Sequence, residues 1–132
     1  MGNYFQMNFT DTQLNSVSTL GLAHVGDGVY DLLCRSYLCS KGTQTVLKLH
    51  RQTVELVKAS TQAKLVQKIL PLLTEEEQGY YRRGKNAHTH AAPKSASPRE
   101  YAMATGLEAL LGALYLLGRT DRINELFFQM MG

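Results

Sequence analysis

Long hydrophobic runs are missing from this chain of 132 residues. A transmembrane helix needs roughly 18 to 20 consecutive apolar residues without charges. The longest candidate here, 110–118, has only about half of that length and begins two residues after Glu108. The N-terminus also lacks the basic and then apolar pattern of a secretory signal. These absences argue against a membrane protein and predict a soluble, cytoplasmic one.

Cysteine is rare in this chain, with two residues in 132. The two cysteines, Cys34 and Cys39, lie five residues apart on a predicted helix and therefore on different faces of it. This spacing fits neither a disulfide framework nor a C-x-x-C metal site. We expect both thiols to be reduced, which is typical of a cytoplasmic protein.

The composition is that of one globular domain. Hydrophobic residues make up 44% of the chain and charged residues 19%, which suffices for a single core. Apolar residues recur at three- and four-residue steps, and the strict alternation of a β-strand is missing. The sequence therefore predicts an all-α, compact single-domain helical bundle over residues 1–132, with about 1–12 flexible.

Capping residues and helix breakers divide the chain into six predicted helices. Their ranges are 22–38, about 45–57, 60–70, 75–83, 98–117 and about 121–130. The predicted caps are Thr43 or Thr45, Ser60, Thr74 in a capping box with Glu77, and Asp121, with Pro71 ending the third helix and Pro98 in the first turn of the fifth. The residues predicted to be buried in the second helix are Val46, Leu49, Val54 and Val57. The segment from Gly84 to Pro98 is the one long predicted loop.

Positive charge is concentrated in the middle of the chain. Residues 41–99 contain eleven Lys and Arg against four acids, a net charge of +7, whereas the two flanks together carry −4. A polyanionic partner would be favoured by such a distribution. A solvated helix surface is the more common explanation of such a stretch.

Two carboxylates lie at the borders of predicted apolar stripes. At about 100° per residue, Asp27 falls beside the stripe Leu22, Val25, Val29, Leu32, Leu33 and Tyr37 of its helix. Glu108 borders the stripe Met103, Leu107, Leu110, Leu111, Leu114 and Leu117. Packing the two stripes together would bring both carboxylates to one solvent-reachable notch, where they would need a cation or a proton. Mg²⁺ suits two carboxylates and several waters. A surface position for Asp27 and a salt bridge to arginine for Glu108 remain the alternatives.

Two other patterns are ambiguous. His88 and His90 form an H-x-H pair, but without a third ligand nearby they favour exposed loop histidines over zinc. Small residues on the fifth helix permit a close helix approach, either inside the core or across a dimer; they are Gly106, Ala109, Gly112 and Ala113.

Two segments carry a family resemblance. Residues 22–31, LAHVGDGVYD, resemble the signature helix of the ribonuclease III family, and residues 102–116, AMATGLEALLGALYL, resemble its second acidic helix. Two further features are similar to the Mini-ribonuclease III branch, which consists of the nuclease domain without a double-stranded-RNA-binding domain. They are the short length of the chain and the segment Arg82-Arg83-Gly84-Lys85-Asn86. The resemblance implies the endonuclease-domain fold, a homodimer, and Mg²⁺-dependent cleavage of double-stranded RNA, with no DNA substrate. It further implies maturation of the large-subunit (23S) ribosomal RNA precursor.

The chain departs from the larger family at two positions. Ala23 and Thr105 stand where that family has carboxylates, so Asp27 and Glu108 are the candidate catalytic residues and Mg²⁺ ligands that remain. One well-held Mg²⁺ is easier to reconcile with two carboxylates than two ions are. Thr105 is a candidate for holding a metal-bound water. A non-catalytic module that binds structured RNA or ribosomal particles is the alternative, and a helical interaction protein with a coincidental match is a third.

Basic residues are the candidates for holding RNA, because a duplex is bound mainly through phosphate and 2′-hydroxyl groups. The first choices are Arg82, Arg83, Lys85 and Asn86, and the second choices are Arg51, Lys58 and Lys64. Stabilising a helix C-terminus is the alternative role for either arginine. The loop 84–98 is a candidate for contact with a groove of the duplex.

Overall fold

The computed structural model describes residues 2–87 and 96–132. Every regular secondary-structure element in these ranges is a helix. The elements are α1 (Asp11–Asn15), α2 (Thr19–Ser40), α3 (Val46–Val57), α4 (Ala59–Val66), a 3-10 helix (Leu70–Leu72), α5 (Glu75–Lys85), α6 (Pro98–Leu116) and α7 (Thr120–Met131). The predicted all-α fold is therefore confirmed.

Helix α6 is the centre of the molecule. Helices α2, α4 and α5 pack around it, and α7 closes one end. The sequence predicted a single buried stripe on this helix, but residues between the stripe positions, such as Ala104, Ala109 and Ala113, are buried as well. Small side chains at these positions let neighbouring helices approach from several directions, so α6 has almost no solvated face.

Several predicted helix ends are confirmed. Thr74 and Glu77 form the predicted capping box of α5, and Pro98 lies in the first turn of α6. Ser97 and Glu100 add a second capping box there. Thr45 caps α3 by accepting a hydrogen bond from the Lys48 amide.

Other predicted ends are wrong. Ser60 lies inside α4 instead of capping it, because the chain turns directly from α3 into α4 at Lys58. That helix ends at Val66, and Pro71 belongs to the separate 3-10 helix. Asp121 lies in the first turn of α7, which Arg119 precedes.

The N-terminal segment contains a helix that the prediction missed. Thr10 and Gln13 form a capping box at the start of α1, and this T-x-x-Q pattern was a usable sequence signal. The Phe9 amide donates a hydrogen bond to the Leu116 carbonyl at 2.7 Å. Part of the segment that was expected to be flexible is therefore attached to the end of α6.

The predicted burial of α3 is largely wrong. Val46 is 82% exposed and Val54 is 43% exposed, while Leu49 and Val57 are only partly buried. The buried residue of this helix is Thr53, whose hydroxyl donates to the Leu49 carbonyl. Helix α3 packs mainly against α2 and α4 at the edge of the bundle, so one narrow face is covered.

Glycines allow α5 and α6 to pack closely against each other. A Cβ at Gly84 would lie 2.6 Å from the Ala109 Cβ, and one at Gly106 would lie 2.8 Å from the Tyr81 ring. Gly84 therefore belongs to α5, which packs on α6, and does not begin the predicted loop. The small residues Gly106, Ala109 and Gly112 of α6 serve contacts within the core, which decides between the two alternatives left open by the sequence.

An ion-pair network joins α5 to α7. Glu77 is 3% exposed, and its carboxylate accepts hydrogen bonds from Arg122 Nε at 2.8 Å and Nη2 at 3.0 Å. Burial disfavours the ionised form, but the bonds from Arg122 and Thr74 outweigh it and lower the pKa of Glu77. Glu76 pairs with Arg119 beside it.

The sequence predicts neither a transmembrane helix nor a disulfide. None of their helices is long and apolar enough to cross a membrane. Cys34 is buried, Cys39 is exposed, and neither forms a disulfide, as the spacing predicted.

Candidate active site

Two glycines bring α2 into backbone contact with α6. A Cβ at Gly26 would lie 1.6 Å from the Glu108 carbonyl oxygen, and one at Gly112 would lie 1.9 Å from the Leu22 carbonyl oxygen. No side chain larger than hydrogen fits at either point. Asp27 directly follows the first of these contacts, so the close approach places it beside Glu108.

The Asp27 carboxyl group lies close enough to that of Glu108 to affect its pKa. Asp27 is exposed, whereas Glu108 is partly buried between the helices. Burial raises the pKa of Glu108 to about 8, and the adjacent Asp27 contributes to the rise through a hydrogen bond and its charge. Two such groups remain together near neutral pH only with a shared proton or a bound cation. The structure thus brings together the two carboxylates that the sequence singled out.

A third polar side chain, which the sequence reasoning missed, reaches the same place. Gln62 of α4 is 2% exposed, and its Nε2 donates to Glu108 Oε2 at 3.4 Å and to the Val57 carbonyl at 3.0 Å. The available signal was a glutamine next to Ala63 on the face of α4 that also carries Val66.

The two positions that depart from the larger family are both buried. Ala23 is 7% exposed and Thr105 is 6% exposed. The Thr105 hydroxyl donates to the Tyr101 carbonyl at 3.0 Å, within its own helix. Its proton is therefore already used, and the hydroxyl could offer only lone pairs to a water.

The donor set suits a hydrated, oxygen-liganded cation. Within 2–87 and 96–132 there is no group of three or more His, Cys, Asp and Glu side chains that could enclose a metal. A pair of carboxylates open to solvent on one side matches Mg²⁺, which keeps several waters and needs one or two carboxylates. His88 and His90, the pair considered for zinc, lie outside the described residues. His24 and His50 are exposed helix residues.

The first group of predicted RNA-binding residues lies at the end of α5. Arg82, Arg83 and Asn86 line a groove of about 600 Å³ together with Thr19, Gly79 and Ala87. Lys85 is exposed on the same helix but does not line this groove. Both arginines also lie in the last turn of α5, where their charge favours the helix C-terminus. The two suggested roles are thus compatible.

The second group lies on different helices. Arg51 is exposed on α3, Lys64 is exposed on α4, and Lys58 lies between them. Lys58 pairs with Glu55 at 2.7 Å, which offsets part of its charge. Lys58 directly follows Val57, whose carbonyl binds Gln62, so Lys58 lies on the α4 side of the carboxylates.

The predicted apolar stripe of α2 lies only partly in the core. Leu22 is buried, Val25, Val29, Leu33 and Tyr37 are partly buried against the core, and Leu32 is exposed. Tyr30 and Cys34, which were not in the predicted stripe, are fully buried. A groove of about 530 Å³ is lined by Val25, Val29, Leu32 and Leu33 of α2, by Ile123 of α7, and by Phe5 near the N-terminus. Leu32 is 53% exposed and Phe5 is 78% exposed. Gly28, the neighbour of Asp27, also borders this apolar groove.

Known proteins share this fold and sequence. Residues 20–119 match the Ribonuclease III domain family. Mini-ribonuclease 3 of Symbiobacterium thermophilum is 47% identical over 80% of this chain and 82% of its own length. Mini-ribonuclease 3 of Clostridium tetani is 40% identical over 89% and 79%, respectively. A crystal structure of a Fusobacterium nucleatum protein, 32% identical, superposes with a TM-score of 0.80 over 89% of this chain and 94% of that chain.

The match and the resemblance found in the sequence agree, since the matched range includes both acidic segments. The chain belongs to the ribonuclease III family of endoribonucleases, in its Mini-ribonuclease 3 branch.

Proposed function

We propose that this endoribonuclease cleaves double-stranded RNA with the help of Mg²⁺ held by Asp27 and Glu108. The observation that carries the proposal is the backbone contact of Gly26 with Glu108, which places Asp27 and Glu108 side by side where α2 packs on α6. Because Glu108 is partly buried beside a like charge, a cation is the natural partner that allows both groups to be ionised.

The catalytic roles follow from the two environments. Asp27, on the exposed side, would meet the cation from solvent, and Glu108 would hold it from the protein side. When bound, Mg²⁺ would lower the pKa of a water and stabilise the charge that develops on the scissile phosphate. Thr105 is a weaker candidate for supporting a water, because its hydroxyl proton is engaged within the helix.

The RNA-binding surface is proposed at the end of α5. Arg82, Arg83 and Asn86 share one groove, and Lys85 extends the positive charge beside it. Such groups neutralise phosphates without reading a base sequence, as duplex recognition requires. Arg51, Lys58 and Lys64 are proposed to contact the backbone on the α4 side.

A homodimer is the proposed working form. Cutting both strands of a duplex needs two sites, and one chain carries a single Asp27–Glu108 pair. The apolar groove defined by Val25, Val29, Leu32 and Leu33 gives a second copy a surface to cover. Since Gly28 borders that groove, such a dimer would place the two Asp27 residues on either side of the interface.

The natural substrate is proposed to be the duplex that contains an end of the large-subunit (23S) ribosomal RNA precursor, which is the role that the resemblance implies. Cleavage of a precursor stem should then exceed that of a random duplex of the same length. Equal rates on the two would remove this part of the proposal.

The assignment of Asp27 is tested by Asp27→Asn. We expect this change to abolish cleavage of long duplex RNA in Mg²⁺ while RNA binding in EDTA is largely retained. Asp31→Asn is the matched control, because Asp31 lies on the same helix but pairs with Arg35 at 3.0 Å. Unchanged turnover in Asp27→Asn would refute the assignment.

The non-catalytic alternative is motivated by the buried, uncharged residues Ala23 and Thr105 at two acidic positions of the larger family. The same assay separates it from the proposal. Binding of duplex RNA without cutting, in both Mg²⁺ and EDTA, would favour the RNA-binding module.

A further inference from the structure

Gln62 is a buried amide at the contact of α4 with α6. Burying an amide costs free energy unless its hydrogen bonds are made within the protein. The Gln62 side chain makes two of them, to the Val57 carbonyl at 3.0 Å and to Glu108 Oε2 at 3.4 Å. A glutamine NH₂ group has two hydrogens, one for each acceptor. Gln62 therefore links the Glu108 carboxylate to the backbone at the end of α3.

The backbone that Gln62 binds is itself fixed. The Tyr30 hydroxyl, from the core of α2, donates to the Leu56 carbonyl at 2.7 Å, one residue before Val57. Tyr30 is fully buried, so this bond ties the α3–α4 junction to the helix that carries Asp27. Gln62 thus connects Glu108 to the end of α3, and Tyr30 connects the end of α3 to α2, the helix that carries Asp27.

The Gln62 amide has one unused acceptor. Its Oε1 is buried and has no partner among the described residues. An orphaned buried oxygen is costly, which is why most such atoms bind a protein group or an ordered water. A water of a hydrated cation would satisfy it.

We propose that Gln62 is a positioning residue that holds the Glu108 carboxylate in the orientation needed to bind the metal. This inference rests on the proposed function, because it assumes that Asp27 and Glu108 ligate the cation. Residues that hydrogen-bond a ligand orient it, and their loss typically lowers metal affinity by about 10- to 100-fold.

The test compares Gln62→Met with the matched control Gln67→Met. Methionine keeps the length of the side chain and removes the amide. Gln67 follows the same helix and binds only the Ala63 carbonyl, away from the carboxylates. The measurements are the rise in melting temperature on titration with Mg²⁺ without RNA, the Mg²⁺ concentration for half-maximal cleavage, and the affinity for duplex RNA in EDTA.

We expect Gln62→Met to need at least about tenfold more Mg²⁺ in both titrations, with RNA affinity in EDTA unchanged. Gln67→Met should match the wild type in all three. A Gln62→Met protein with the wild-type Mg²⁺ response would overturn the positioning role. A wild type that is neither stabilised nor activated by Mg²⁺ would instead overturn the proposed function itself, and the two failures are therefore distinguishable.

A second variant keeps the inference testable if Gln62→Met does not fold. Gln62→Glu places a further carboxylate beside Glu108, where it requires a cation. We expect a larger Mg²⁺-dependent rise in melting temperature than in the wild type. An equal or smaller rise would show that position 62 does not act on the metal site, and the inference would fail.

Discussion

Gly26→Ala is the substitution that most directly tests how the site is built. The added Cβ would lie 1.6 Å from the Glu108 carbonyl oxygen, 2.5 Å from the carbonyl carbon and 2.9 Å from the Cα. All three are backbone atoms of α6, so no side-chain rotation relieves the overlap. Ordinary contact begins at 3.4 Å, and the helices would have to separate by nearly 2 Å along this line.

The expected cost follows from this overlap. Extra atoms in a well-packed core typically cost about 1–3 kcal/mol, and we expect the upper end or more here, because backbone must move. The gain in helix propensity from Gly to Ala, about 1 kcal/mol, offsets only part of it. The cleavage rate of the folded variant should also fall, by roughly 100-fold, because a misplacement of about 1 Å in a catalytic group has that effect.

The assay is denaturant unfolding at matched protein concentration, together with the cleavage rate at saturating Mg²⁺. Gly79→Ala is the control for the unfolding measurement: Gly79 is helical, and a Cβ there meets nothing within 4 Å. That variant should be as stable as the wild type or more stable by up to about 1 kcal/mol. A Gly26→Ala protein that unfolds and cleaves like the wild type would refute the role of this contact.

Three further predictions concern Glu108, the α5–α7 ion pair and the RNA surface. In EDTA, stability should fall as the pH rises from about 4.5 to about 8, because folded Glu108 keeps its proton over a range in which the unfolded chain has lost it; unfolding titrations measure this. Arg122→Ala should cost about 3–5 kcal/mol in unfolding free energy, since it leaves buried Glu77 unpaired. Replacing both Arg82 and Arg83 by Ala should weaken RNA binding and reduce the slope of log affinity against log salt by about 2, measured by titration at several salt concentrations.

Matched controls decide the three cases. In Glu108→Gln, the stability in EDTA should no longer fall between about pH 4.5 and about pH 8. If this variant showed the same fall as the wild type, other groups would be responsible for it. Arg35→Ala removes an exposed pair with Asp31 and should cost less than about 1 kcal/mol. The same variant should leave the salt slope of RNA binding unchanged, because Arg35 does not line the α5 groove. Equal effects of the Arg35 and Arg82–Arg83 changes would indicate only a general charge effect.

The fold was largely predictable because its signals are local. Capping boxes, a proline at a helix start and three- and four-residue apolar steps fixed α2, α5 and α6 to within a few residues. The prediction was wrong where tertiary packing overrides local pattern. Helix α3 has an amphipathic sequence but covers only a narrow face, and α6 is enclosed by neighbours on nearly every side.

The site was predictable in part for the same reason. Angles around each helix placed Asp27 and Glu108 at the borders of their apolar stripes, and the family resemblance selected this pair among the acids. The position of Gln62 on the apolar face of α4 was a signal for burial but not for its partner, because Glu108 lies 46 residues away in sequence and the contact depends on how α4 docks. The rim position of Leu32 was equally hidden, since a stripe does not indicate which part of it meets the core.

Because α6 is enclosed by its neighbours, the arrangement of the two carboxylates and the positive charge on the surface depend on different parts of the molecule. The carboxylate geometry is set by backbone contacts at Gly26 and Gly112, which leave no room for adjustment. The exposed cations at the end of α5 are attached to the same framework but take no part in those contacts. On the proposed roles, exchanging Arg82 or Arg83 on the outside of this protein would change its affinity for RNA and leave the arrangement of Asp27 and Glu108, which the interior sets, unaltered.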